Sequence, residues 1–447
     1  MKHLTLFLLL AVLALSVSAD ETNAPAWLSR PLSQADCINI ALAQNANILK
    51  AKSELEATAG VVIQTRAVAL PQLTASSAVK HTEPQAIESY PNSVPPNNNW
   101  NAGIQLVQEI YSGGKLMAAV KAASATKKQS IAQYQTQVAD TLLAVRLAYY
   151  DVLLAAQQII VNEASVKLLQ KELNDQQRRF DAGTVPHFNV LRAEVALANA
   201  KPALFHANSQ YRISKNALAN LLGYNLPREV LENIPLNLTD NFDVADWNMA
   251  LPDAIQQALD RRTELQDLRQ QVELQKLNVV TAKSGYKPTI SAFTGYNWNN
   301  SQFTDPSDLS YTIHGWNVGG QLTWAIFDGA LTIGKVKQSQ ALYKKSQTEL
   351  EDRSRQIELD VRTSYSDFLE AKEVLDSQIK VQEQAEEALR EANARFDAGT
   401  GTQLDVLDAE TSLTQARTTQ VQAQHDYAAA RARLERSIGA ELASAQK

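Results

Sequence analysis

The chain has 447 residues, a formal net charge of −6 and a single cysteine. One cysteine excludes an internal disulfide, and a mildly acidic chain without a basic run argues against nucleic acid as a partner. Only 16 glycines and 14 prolines occur, which favours long uninterrupted helices over many short elements.

Residues 1–19 have the pattern of a secretory signal peptide. A basic start at residues 1–3 precedes an apolar core at residues 4–15, and the segment ends in small residues at Ala19. We expect cleavage after Ala19 and export of the mature protein. A membrane anchor is the alternative, but the apolar run is too short to span a bilayer. Cys37 lies well beyond the cleavage site without a lipid-attachment pattern, so we expect no lipid anchor and a buried cysteine.

The rest of the chain carries one pattern twice, at an offset of 216 residues. The sequence Ile-Tyr-Ser-Gly at 110–113 returns as Ile-Phe-Asp-Gly at 326–329, and Arg-Phe-Asp-Ala-Gly-Thr at 179–184 returns unchanged at 395–400. A period this long indicates a duplicated half rather than a solenoid array. The two halves are therefore expected to serve one function together.

Each half is predicted to consist of a helix, a β-hairpin, a very long helix and a returning helix. The predicted boundaries are a first half at 20–222, an irregular insert at 223–250, a second half at 251–440 and a tail at 441–447. Within the halves we expect leading helices at 33–68 and 251–285, hairpins at 73–111 and 289–327, and returning helices at 188–222 and 404–438. After the signal, no apolar stretch reaches about 18 residues, so no transmembrane helix is predicted.

The long helices are predicted from two runs that lack both glycine and proline. The runs extend from Lys115 to Ala182 and from Lys335 to Ala398 and consist mostly of strong helix formers. At about 1.5 Å per residue, each makes a rod of roughly 100 Å, which must pack against other helices. Each run ends near a glycine, Gly183 or Gly399, that can adopt the left-handed conformation at the end of a helix.

The hairpins are predicted from a change of period to two, the pattern of strands with one apolar face. In the second hairpin the alternating apolar positions are Trp316, Val318, Leu322, Trp324 and Ile326. Short alternating strands with aromatic ends and long polar loops match an outer-membrane barrel. One chain supplies only four strands, and an open sheet edge cannot lie in lipid, so several chains would have to share the barrel. Soluble hairpins packed on helices are the alternative.

The order of the motifs along the chain is more informative than any one of them. A start at Asn45-Ala46-Asn47-Ile48-Leu49, proline-led strands, the long rods and the segment Gly399-Thr400 through Leu404-Asp405-Val406-Leu407-Asp408-Ala409 follow one another, most of them twice. This order resembles the TolC-type outer membrane efflux proteins over nearly the whole mature chain. The resemblance implies a mainly α fold with membrane β structure. Its expected form is a homotrimer with four strands per chain in a shared twelve-stranded barrel and a long α-helical periplasmic tunnel.

The resemblance also implies a function and a set of partners. The expected function is the passive exit duct of a tripartite efflux or type I secretion system in the outer membrane of a Gram-negative bacterium, extending into the periplasm. The implied partners are outer membrane lipid, a periplasmic adaptor (membrane fusion) protein and an inner-membrane pump of the RND, ABC or MFS type. The sequence specifies neither the transported substrate nor the class of pump.

Two acidic residues are candidates for a periplasmic gate. Asp405 and Asp408 are three residues apart, which places both carboxylates on one face of a helix. In a trimer they would form two stacked acidic rings that attract cations, and the resemblance implies that the matching aspartates line the closed periplasmic constriction. A solvated helix face is the alternative. The first repeat has Asn189 and Arg192 at the matching positions.

The two tip corners resemble the sites at which adaptors dock in this family. The candidate residues are Phe180, Asp181, Ala182, Gly183 and Thr184 in the first repeat, and Phe396, Asp397, Ala398, Gly399 and Thr400 in the second. The alternative for each glycine is that it only turns the chain. Phe396 and Gly401 lack the hydroxyl and the guanidinium that help lock the closed state in relatives, so those latch contacts are not carried over.

No catalytic, cofactor or metal site is predicted. The histidines at 81, 187, 206, 314 and 425 lack metal-ligand spacing, and no nucleophile elbow or phosphate loop occurs. A periplasmic coiled-coil adaptor or scaffold is the alternative function. It would explain the signal and the rods, but not two hairpins that carry tryptophan at matching positions.

Overall fold

The computed structural model describes residues 26–83, 85, 98–225, 234–242, 249–300 and 312–440. The predicted signal peptide, the C-terminal tail and most of the two predicted hairpin loops lie outside the described residues. Part of the predicted insert at 223–250 is also outside them.

Eight helices and one four-stranded sheet make up the described chain. The first half contains α1 (Gln34–Gln44), α2 (Ala46–Ala67), β1 (Gln72–His81), β2 (Asn98–Ser112), α3 (Lys115–Asp181) and α4 (His187–Leu221). The second half contains α5 (Leu251–Arg261), α6 (Thr263–Lys283), β3 (Thr289–Asn300), β4 (Thr312–Thr323), α7 (Leu331–Asp397) and α8 (Gln403–Ile438). The predicted mainly α fold with two very long helices is confirmed, and α3 and α7 have 67 residues each. None of the described helices combines the length and the apolar character needed to cross a membrane.

The prediction of one leading helix in each half was wrong, because each is broken near its middle. Asn45 separates α1 from α2 with extended backbone, and its side-chain oxygen accepts the N–H of Asn47 at 2.8 Å. Its amide group also donates to the carbonyl of Leu221 at 2.7 Å. Arg262 makes the matching break between α5 and α6. The first break therefore has a local capping signal, which favours asparagine at this position.

The core lies where the leading helices cross the long rods. α3 packs against α2, α4, α6 and α8, and α7 packs against α5, α6 and α8. Val145 and Val361, which are equivalent in the two repeats, are both 0% exposed. Tyr149 and Tyr365 are also equivalent, and their hydroxyl groups bond to Asp240 and to the carbonyl of Met249, respectively. The equivalent tyrosines thus attach the segment between the two halves to the long helices.

The sheet has the strand order β1-β2-β3-β4 and is antiparallel throughout. Directly opposed residues share a face, and the register gives one face dominated by apolar side chains: Leu73, Ala75, Val79, Trp100, Ala102, Ile104, Leu106, Ile290, Ala292, Tyr296, Trp298, Trp316, Val318 and Leu322. The other face is dominated by polar residues and glycine. The second hairpin was predicted to extend to residue 327, but β4 ends at Thr323. The next residue turns away from the ladder, and the indole N–H of Trp324 donates to the carbonyl of Tyr286 at 3.2 Å.

A buried charge network connects α3, α6 and the end of α8. Arg436 donates to Asp140 at 2.6 Å and to Glu264 at 2.8 Å, and Arg262 donates to Glu264 at 2.7 Å. Burial alone would raise the pKa of Glu264, but the hydrogen bonds from Arg262 and the charge of Arg436 outweigh it and hold the pKa at about 2. The break at Arg262 is therefore stabilised by contacts distant in sequence.

Replacing Arg436 by methionine is expected to destabilise the protein by about 3 kcal/mol, because it leaves the largely buried carboxylate of Glu264 without one of its partners. The pKa of Glu264 is depressed, so its contribution is present above the ordinary value of 4.5 and is lost as pH falls towards about 2. Guanidinium unfolding of both proteins at pH 7 and pH 3 should show a smaller difference at pH 3. Arg433→Met, on the exposed side of the same helix, is the control, and an equal loss in both variants would contradict the expectation.

Candidate functional site

The long helices end in two exposed corners of equal geometry. Gly183 and Gly399 have φ values of +74° and +73°, which confirms the predicted left-handed conformation. The N–H of Thr184 donates to the carbonyl of Arg179, and that of Thr400 donates to the carbonyl of Arg395, both at 2.9 Å. These bonds satisfy carbonyl groups that the last turn of a helix leaves free.

The two corners lie side by side. The guanidinium of Arg179 donates to Asp397 at 3.0 Å and lies 4.7 Å from the centroid of the Phe396 ring. Phe180 contacts the ring of His187 with centroids 5.1 Å apart. The predicted tip residues of both repeats therefore form one continuous surface, on which only Phe396 is half-buried and the other nine are exposed.

Asp405 is held by hydrogen bonds at the start of α8. The backbone N–H and the hydroxyl of Thr402 both donate to one carboxylate oxygen of Asp405 at 2.8 Å, and the N–H of Asp405 donates back to that hydroxyl at 3.3 Å. This reciprocal pair is a capping box. The bonds from Thr402, the backbone one first, lower the pKa of Asp405. Asp405 is thus an exposed anion that also stabilises its own helix.

Asp408 and Arg192 face the same groove. The groove has a volume of about 500 Å³ and lies between α4 and α8, with α3 as its floor. Asp408 lines the α8 side and Arg192 lines the α4 side, and the two residues are equivalent in the repeats. The guanidinium of Arg192 also lies 4.9 Å from the centroid of the Phe188 ring. The structure therefore adds a positive charge beside the predicted acidic position, whereas Asp405 does not line this groove.

A set of buried polar residues next to the groove was missed by the sequence analysis. Gln403 donates to the carbonyl of Asn189 at 3.1 Å and towards Glu172 at 3.5 Å, and Gln176 donates to the same oxygen of Glu172 at 2.7 Å. The first turn of α8 is thereby bonded to both α3 and α4. Glutamine carries no charge pattern that would mark it in a sequence. Glu410 is the repeat counterpart of Glu194, and its burial is visible only in the fold.

The described residues contain no group of His, Cys, Asp and Glu side chains that could hold a metal ion. The ring of His425 contacts two carboxylates: its nitrogens lie 2.9 Å from Asp151 and 2.9 Å from Asp426. Burial alone would lower the pKa of His425, but hydrogen bonds to the two carboxylates raise it. The arrangement links α8 to α3 in the middle of the rods.

Comparison with known proteins decides the family. The outer membrane efflux protein family matches residues 37–224 and 254–440, which are the two repeats. The chain belongs to the outer membrane efflux protein family. A member from Vibrio cholerae serotype O1, outer membrane protein TolC, is 24% identical over 412 residues, which cover 91% of this chain and 90% of that protein.

One further relative and one solved structure are also similar to the efflux protein. Alkaline protease secretion protein AprF of Pseudomonas aeruginosa is 24% identical over 303 residues, covering 68% of this chain and 62% of that protein. The crystal structure of the Campylobacter jejuni CmeC outer membrane channel superposes with a TM-score of 0.79 at 16% identity, covering 91% of this chain and 85% of that chain. The likeness to CmeC shows the shared fold.

The family establishes what the efflux protein does. It is an outer membrane channel that extends into the periplasm and serves as an exit duct for efflux or secretion. The predicted family, fold and location are confirmed. The alternative of a periplasmic adaptor or scaffold is set aside, and the known members are channels rather than enzymes.

Proposed function

We propose that three copies of the chain form the channel, each contributing four strands to one twelve-stranded barrel. The observation that carries the proposal is the sheet itself, whose outer strands β1 and β4 have no partner in the described chain. An unpaired strand edge is not tolerated in lipid, so β1 of one copy pairs with β4 of the next. The apolar face would contact lipid and the polar face the lumen, with Trp100, Trp298 and Trp316 near one end as an aromatic girdle.

The helices also support assembly. Several large apolar side chains on α4 and α7 are exposed in a single chain, including Phe188 at 61%, Phe205 at 67% and Leu359 at 63%. Exposed apolar surface that forms a large patch marks an interface, and these side chains are the candidates for one. In the proposed trimer, α4 and α7 of neighbouring copies cover these side chains and close the tunnel.

The trimer is testable on the purified protein. Native mass measurement in detergent should give three copies, and the protein should require detergent for extraction from an outer-membrane fraction. Circular dichroism should show the full strand content only in the trimer, since four strands cannot close a barrel. A stable monomer with full strand content would contradict the proposal.

The proposed tunnel is gated at the start of α8. Asp405 and Asp408 are both exposed, while Val406 and Glu410 on the other side of the helix are buried at 1% and 5% exposure. In the trimer the exposed side would face the lumen, so three copies of each carboxylate would surround the path. Arg192 would place three guanidinium groups close to the Asp408 ring. The net charge around the gate would therefore be less negative than the charge of the aspartates alone.

The proposed partners dock at the tips. The paired corners at 180–184 and 396–400 would receive the hairpin of a periplasmic adaptor, which joins the duct to an inner-membrane pump of the RND, ABC or MFS type. The support is geometric: the two corners form one exposed surface, held together by Arg179 and Asp397. The pump would supply the energy and the choice of substrate. AprF, a relative named for alkaline protease secretion, makes an exported protein one class of substrate to test.

A further inference from the structure

Two carboxylates and two amide groups meet at the contact between the end of α3 and the start of α8. Gln176, Gln403 and Glu410 are 0%, 3% and 5% exposed. Glu172 accepts hydrogen bonds from both glutamines through one oxygen. One carboxylate oxygen of Glu410 is buried and has no hydrogen-bond partner, and the same is true of the side-chain oxygens of Gln176 and Gln403.

This cluster has fewer hydrogen-bond donors than acceptors. The amide groups of both glutamines donate to Glu172, and that of Gln403 also donates to the carbonyl of Asn189. No described side chain donates to the free oxygen of Glu410. A buried anion at Glu410, near the carboxyl group of Glu172, would be disfavoured. A proton on Glu410 relieves the conflict. Burial first, and the charge of Glu172 second, raise the pKa of Glu410 to about 7.

We propose that Glu410 retains a proton that holds the start of α8 against α3, and that loss of this proton as pH rises releases the gate helix. Glu410 lines the groove between α4 and α8, so the proton can leave to water in that groove. The carboxylate of Glu410 is then a buried anion without a hydrogen-bond donor, and the charge of Glu172 repels it. Both effects favour separation of α8 from α3. This inference rests on the proposed gate, because Asp405, Asp408 and Glu410 all lie in the first turns of α8.

Other charged groups near Glu410 do not replace the proton. In the groove, Arg192 and Asp408 lie on opposite walls. Their charges have opposite signs, so their electrostatic effects on the Glu410 carboxyl group oppose each other. On α7, the charged side chains at this level pair along their own helix, as Arg395 with Glu391 and Arg390 with Glu387. Farther along α8, Arg417 pairs with Glu386 at 2.9 Å. Glu172 is therefore the charge that acts on Glu410 most directly.

The direction of the response follows from linkage. The pKa of Glu410 is raised in the packed state, so the contact is fully favourable below the ordinary value of 4.5 and weakens as pH rises through about 7. With those two values, the ratio of open to closed tips rises about tenfold per protomer between pH 6 and pH 8. His425, whose pKa is also raised, bonds α8 to α3 and would act in the same direction, so it needs a variant of its own.

The experiment measures single-channel conductance of the purified channel in planar bilayers from pH 5.5 to 8.5. The open fraction of the wild type should rise with pH and level off above about pH 7. Glu410→Gln keeps the shape of a neutral carboxyl group and should remain mostly closed across the range. Glu194→Gln makes the same change at the equivalent, exposed position of the first repeat, and should respond as the wild type does. His425→Gln should also keep a transition near pH 7.

Hydrogen exchange of the amide groups at 403–414, corrected for the intrinsic effect of pH, provides a readout that does not depend on conduction. Protection should decrease as pH rises in the wild type and in Glu194→Gln, but not in Glu410→Gln. The inference is overturned if Glu410→Gln retains the transition, if Glu194→Gln loses it equally, or if the wild-type channel shows no transition. Absence of any channel in the bilayer would instead contradict the proposed function.

Discussion

Neutralising both candidate gate residues, with Asp405→Asn and Asp408→Asn, is expected to raise single-channel current and to weaken block by multivalent cations. At about 7 Å in a water-like dielectric, a divalent cation gains about 1 kcal/mol from each carboxylate. Removal of both rings should therefore weaken block by about tenfold or more. Asparagine is preferred to alanine at 405, because its side-chain oxygen can still accept the hydrogen bonds from Thr402 that cap α8.

Two control variants separate charge from helix stability. Thr402→Ala removes the cap, at a cost of about 1 kcal/mol, but leaves the charge of the gate unchanged, so block should persist. Arg192→Gln removes the positive charge from the same groove and should strengthen block, the opposite effect to Asp408→Asn. Unchanged current and unchanged block in the double asparagine variant would show that these carboxylates do not face the ion path.

Replacing Gly399 by valine is expected to leave the trimer and its membrane insertion intact while reducing efflux and adaptor cross-linking. Gly399 has a φ of +73°, and a Cβ added there would meet no heavy atom within 4 Å. The cost is therefore one of backbone conformation, at least about 1 kcal/mol for a β-branched residue. Because the strain is confined to the tip, cross-linking to the adaptor should fall about fivefold to tenfold.

The matched control at this position is Gly399→Asn. Asparagine tolerates the left-handed conformation better than other residues with a side chain, so efflux and cross-linking should be largely retained. Gly183→Val makes the valine change in the first repeat, where φ is +74° and a Cβ is likewise unopposed. If valine at 399 abolished the trimer itself, the glycine would be a folding residue and the docking proposal would lose its support.

Much of the fold could be predicted because it depends on local chemistry. The two helices of 67 residues follow from long runs of strong helix formers, which lack glycine and proline in α3 and contain only Gly334 in α7. Their ends need a residue that tolerates positive φ, such as Gly183 or Gly399. The strand faces follow from alternation, since successive side chains of a strand point to opposite sides. The duplication gave each of these signals twice, which made their order a stronger indicator than any single motif.

The sequence by itself thus determined the long rods, the tip corners, the alternating strands and the family. Only the tertiary structure decided what covers each residue. Glu194 and Glu410 occupy the same repeat position, yet the first is exposed and the second is buried, because α8 packs against both α3 and α7 whereas α4 packs mainly against α3 within one chain. The break at Arg262 and the bonds of Gln403 also depend on partners far away in the sequence. Burial and long-range pairing are properties of the assembled helices, so a pattern along one segment cannot reveal them.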